Sequence, residues 1–124
     1  MLVKPADDDV LRFAASSFRS VWALELLLIL KGDRRTWSHE ELVSTMRASD
    51  AVVSSALDSL MAAGLASTEG EGALYLPIND EVAAYVDRTE ALYTARPDAV
   101  RRAIVRASTS GLSAFADAFR WRND

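Results

Sequence analysis

The stretch WSHEELVSTMRASDAVVSSALDSLMAAGLASTEGEGALYLPI, Trp37 to Ile78, decides the fold. Ser38 and Glu41 have the spacing of a capping box, in which a hydroxyl and a carboxylate each satisfy a free amide at a helix start. They predict a short helix over about 39–46 that buries Leu42, Val43 and Met46, with Trp37 packed just ahead of it. Arg47–Ser49 reads as a turn, and Ser49 has the side chain to cap a second helix. On that helix Val53, Leu57, Leu60 and Met61 recur at i, i+4, i+7 and i+8, which predicts its inward stripe. Gly64 ends it, since glycine takes the left-handed conformation of helix ends without steric cost. LAST and ALYLPI are then two short strand-like runs joined by EGEG, which predicts a β-hairpin.

Upstream, Asp7, Asp8 and Asp9 suit the positive end of a helix dipole. The run that follows predicts either one helix over about 8–31 or two, broken near Ser16–Ser17. From Val21 to Leu30 nearly every side is apolar, so this segment is expected to be the central helix of the core. Ten residues interrupted by Glu25 are too few to cross a bilayer, which takes about 20. Glu25 is expected at the rim of the core or in a buried ion pair with Arg101 or Arg102.

Downstream, Asn79 or Asp80 is placed to cap a helix over about 80–95 whose apolar face holds Val82, Tyr85, Val86, Thr89, Leu92 and Tyr93. Pro97 opens another helix at its favoured first turn, aligning Val100, Ala103, Ile104 and Ala107. A last helix, LSAFADAFRWR, places Leu112, Phe115 and Phe119 on one face and Trp121 opposite them. A two-sided terminal helix is what a contact between subunits requires, so these four residues are the expected dimer contact. The class is α+β, mainly α: residues 1–78 form a first unit and residues 79–124 a helical extension for packing or dimerisation.

Hydrophobic residues make up 50% and charged residues 26% of the chain, the mix of an ordinary folded protein. With no cysteine there is no disulfide or thiol chemistry, which fits a reducing cytoplasm. The N-terminal MLVKPADDDV lacks the apolar core of a secretion signal, so a cytoplasmic protein is expected. His39 is the single histidine. No second imidazole or thiol exists to complete a zinc site or to serve a nucleophile, so neither metal, cofactor nor enzymatic activity is expected. The net charge is −4 and it is unevenly spread. Residues 36–78 carry one base, Arg47, against six carboxylates; residues 1–35 carry six bases and five acids, and residues 79–124 seven of each.

The capped helix, the turn at Arg47–Ser49, the VVSSALDSLMAAGL helix and the immediate hairpin together resemble the winged helix-turn-helix of bacterial regulators. The likeness is to the MarR-like and related small families, over roughly residues 20 to 78. The resemblance implies a cytoplasmic, homodimeric transcriptional regulator whose second motif helix enters the major groove of double-stranded DNA. Carried onto this chain, the outward positions are Ser49, Asp50, Val52, Ser54, Ser55, Ala56 and Ser59. Arg47 at the turn, and Lys31, Arg34 and Arg35 before the motif, are the cations available for phosphate. The family's often basic wing tip is here Glu69–Gly70–Glu71–Gly72. That concentration of acid supplies the alternative expectation, a winged-helix module that meets a basic protein and not DNA.

Overall fold

A computed structural model describes residues 6–108 of the 124-residue chain. In chain order the elements are α1 (Asp7–Ser17), α2 (Val21–Gly32), β1 (Trp37–Ser38), α3 (His39–Met46), α4 (Asp50–Ala62), β2 (Ala66–Glu69), β3 (Gly72–Tyr75) and α5 (Asp80–Ala95). A further helical segment, α6, is described over 97–108. The protein is mainly helical, with one small antiparallel sheet of order β1-β3-β2.

The N-terminal run breaks into two helices whose axes cross at 103°. Helix α1 ends at Ser17, where the break is expected, and Ser20, three residues on, caps α2 by accepting from the Ala23 amide at 3.2 Å. Neither Ser16 nor Ser17 caps it. The bend lets α1 turn back onto α5, where Phe13 stacks on Tyr85 with ring centroids 5.1 Å apart. Helix α2 has 12 residues, too few to hold a helix in isolation. Burial supplies the rest: Leu24, Leu26, Leu27 and Leu30 are fully enclosed, each contributing roughly 1.5–3 kcal/mol. Among the described residues no single helix is long and apolar enough to cross a membrane.

The capping expectations for α3, α4 and α5 match the structure. Ser38 and Glu41 make the reciprocal box, Ser49 accepts from the Val52 amide, and Asn79 accepts from the Val82 amide. Gly64 has φ +75°, and the amides of Gly64 and Leu65 bond the carbonyls of Met61 and Leu60. This double closure of the last turn carries its usual apolar contact, with Leu60 and Leu65 both fully buried.

The inward stripe of α4 is rotated from the one expected. Val53, Ala56, Ser59 and Leu60 are buried, Leu57 is half-buried and Met61 is exposed. Ala56 and Ser59, expected outward, therefore face the core. The shift arises because α4 lies against α2, and small side chains at 56 and 59 let the two backbones approach. A pattern drawn from large apolar residues alone misses that.

Strand β1 was not expected from sequence. Two residues give no period to read; Trp37 and Ser38 become a strand only by pairing with Ala73 and Gly72. A Cβ on Gly72 would stand 2.3 Å from Thr36 Cγ2 and 2.9 Å from the Trp37 carbonyl, so glycine is what admits the third strand. The hairpin pairs Ala66 with Tyr75 and Glu69 with Gly72 around a two-residue turn, Gly70–Glu71. Beyond it, the Leu76 and Ile78 amides donate to the Leu65 and Gly64 carbonyls, with Pro77, which has no N–H, between them. Val86, Leu92, Val100 and Ile104 join the core cluster of the N-terminal helices, so α5 and α6 share one interior with the rest.

Candidate interface on α4 and the hairpin

Ser49 caps α4 with its hydroxyl, so Asp50, Ala51, Ser54 and Ser55 follow on the open side of the first two turns. Ser49, Asp50, Ser54 and Ser55 are exposed, and Val52 is half-buried. The four serine and aspartate positions do share one accessible region; Val52 lies at its edge, in a pocket with Ser20 and Trp22. Ser59 does not: it is 9% exposed, and its hydroxyl donates to the Ala56 carbonyl at 2.9 Å. It is withdrawn from the contact set, because that bond and the α2 contact hold it inward.

The expected cations separate into three situations. Arg47 is exposed and ends α3 in the left-handed region at φ 54°, directly before α4. Arg34 lies over the Tyr75 ring at 5.2 Å, on the base of the hairpin. Arg35 is engaged: its guanidinium bonds Glu41 at 2.8 Å and Asp33 at 2.9 Å, and lies 3.9 Å over the Trp37 ring. The Arg35 bond, together with the Ser38 amide, draws the Glu41 carboxyl down to about 2. Lys31 is also engaged, bonding Glu90 at 2.7 Å and Asp87 at 3.2 Å and so tying α2 to α5. Releasing Lys31 or Arg35 to a phosphate would strand carboxylates that now neutralise them.

One cation near α4 escaped the sequence reading. Arg19 lines a cleft of about 620 Å³ together with Ser20, Ser55, Asp58 and Ser59. It sits 36 positions before Ser55, outside the motif, and only the 103° bend carries it there. No local signal marks it. His39 spans the tips of α3 and α4, its Nε2 standing 3.1 Å from Asp50 Oδ1. At the other end of the surface, Thr36 donates to Glu69 at 3.4 Å, fastening the hairpin tip to the loop before β1. From Ala48 to Ile78 the chain holds four carboxylates, Asp50, Asp58, Glu69 and Glu71, and no lysine, arginine or histidine.

No grouping of three or more metal-ligating side chains occurs among the described residues. The dimer contact expected at Leu112, Phe115, Phe119 and Trp121 lies outside the described residues. Compared with family models, with curated proteins and with solved structures, the chain matches none.

Proposed function

We propose that residues 21–78 form a winged helix-turn-helix and that the chain is a dimeric, DNA-binding transcriptional regulator of MarR-like kind. The observation that carries this reading is the succession α2, β1, α3, α4, β2, β3 with sheet order β1-β3-β2. It leaves the first turns of α4 open beside a two-stranded flap. In this reading α4 enters the major groove, Ser49, Ser54 and Ser55 offer hydroxyls to base edges or phosphates, and Val52 meets thymine methyl groups. Asp50 is suited to accept from the cytosine amino group. Arg47 and Arg19 flank the helix as phosphate contacts, with Arg34 further off. The reading implies a cytoplasmic location and a dimer, whose two copies double a thin set of cations.

The salt dependence gives the test. Arg19 and Arg47 on both copies amount to four phosphates, which corresponds to a slope of about −3.6 in log K against log salt. Gel shift of a randomised duplex pool at about 50 mM salt is expected to select sequences, with affinity falling along that slope. A folded dimer that retains no duplex under those conditions would refute the reading.

A second reading is favoured by one observation: from Ala48 to Ile78 the chain itself supplies four carboxylates and no lysine, arginine or histidine. Here the same α4–hairpin surface binds a basic protein. Replacing both Glu69 and Glu71 with lysine separates the two, because it strengthens DNA binding and weakens a basic partner.

A further inference from the structure

Glu25 interrupts the most apolar stretch of the chain, and nothing on the α4 surface uses it. Its neighbourhood is a cleft of about 600 Å³ between α2, α3 and α6, within the size range of small-molecule sites. Val21, Trp22 and Ile29 of α2 and Met46 of α3 give it apolar walls, and Thr45 adds a hydroxyl. Two opposite charges line the same space, Glu25 from α2 and Arg101 from α6. Of the two expectations for Glu25 the rim position holds, since it is half-buried, and no ion pair with Arg101 or Arg102 is formed. Glu25 Oε1 instead accepts from the Tyr93 hydroxyl, while Arg101 lies 5.3 Å from the Tyr93 ring and pairs at 3.5 Å with Asp98. Trp22, the largest wall, is 47% exposed.

We propose that this cleft binds a small apolar zwitterion of the amino-acid kind, its ammonium on Glu25, its carboxylate on Arg101 and its side chain against Trp22 and Met46. Charge complementarity selects this occupant. A neutral apolar molecule would cover both groups and give Glu25 no partner beyond the Tyr93 hydroxyl and Arg101 none beyond Asp98, and a singly charged one would bring a new partner to one of them alone. A zwitterion pairs both, and the Tyr93 hydroxyl fixes the carboxylate that receives the ammonium. The tryptophan face beside Glu25 adds a favourable surface for a cation. None of this depends on what α4 binds.

Calorimetric titration of the full chain with L-leucine and L-phenylalanine tests the proposal, with N-acetyl-L-leucine and L-leucinamide as probes lacking one charge each. Both amino acids are expected to bind, and each blocked analogue about tenfold or more weakly than leucine, having lost one charge-assisted contact. Arg101→Gln should weaken leucine and N-acetyl-leucine while leaving leucinamide unchanged. Glu25→Gln should do the mirror image. Arg101 is exposed, so its replacement leaves the fold intact even if the Glu25 variant unfolds. Equal binding of leucine and its blocked analogues would overturn the proposal, as would an Arg101→Gln protein with unchanged preferences. If the cleft is instead the seat of residues 109–124 or of a second copy, the full chain takes up none of the four probes and the proposal falls.

Discussion

At Arg47 and Gly64 the backbone takes the same left-handed conformation with different residues. Glycine does so freely; an arginine pays roughly 1–2 kcal/mol. Arg47→Gly should therefore raise stability by up to about 1 kcal/mol in urea denaturation, part of the gain being lost to a freer unfolded chain. Under the DNA reading the same variant binds duplex more weakly, so stability and affinity move in opposite directions. Gly64→Ala should cost more than about 1 kcal/mol, since φ is +75° and the new Cβ would meet Ile78 Cβ at 3.2 Å. Glu41 makes a pH prediction. Its carboxyl is held at about 2, below the ordinary 4.5, so its contribution is complete above pH 4.5 and drains away as pH falls towards 2. Glu41→Gln keeps the capping geometry but removes that part of the acid dependence, which melting curves between pH 2 and 6 would reveal. Ser38, Ser49, Asn79 and Gly64 were legible in the sequence because each acts on amides or carbonyls within a few residues. Arg19 and Ser59 were not, because their placement is decided by how α2 crosses its neighbours.

Among the elements, α4 shows how far periodicity reaches. It identified the helix and two of its core residues, Val53 and Leu60, but set the rotation by the largest side chains. Ala56 and Ser59 give α2 room, and Met61 is turned out. Enlarging Ala56 to leucine is thus expected to force α2 and α4 apart, costing about 1–3 kcal/mol. Ser55→Ala on the open side should leave stability within about 0.5 kcal/mol. A pair of melting curves separates this packing from the one read from sequence. The hairpin was legible from its glycines and alternating residues, whereas β1 owes its existence to Gly72, 34 positions after Ser38. Of the candidate interface, the serines were visible beforehand; the engagement of Lys31 was not, since its partners Asp87 and Glu90 lie on α5, more than fifty residues on.

For the whole molecule, α2 is the axle. It meets α4 and β3, and its Lys31 grips α5, so the putting-together of sequence-distant parts runs through one buried helix. The dimer belongs to this scale. If the terminal segment joins two copies, Phe115→Asp together with Phe119→Asp should yield a monomer in sedimentation velocity, with duplex affinity falling as the contacts halve. Among the described residues the order β1-β3-β2 also leaves β2 with one side unpaired. Such an open rim is a template on which another polypeptide can crystallise into a growing ribbon. Here the rim is four residues long and ends in Glu69, with Glu71 just across the turn. Two like charges at its tip repel an identical rim brought alongside. Removing both by substitution with valine should turn a clear solution cloudy on warming, with light scattering rising before the helices melt; the acid of the flap thus has a colloidal use whatever ligand it meets.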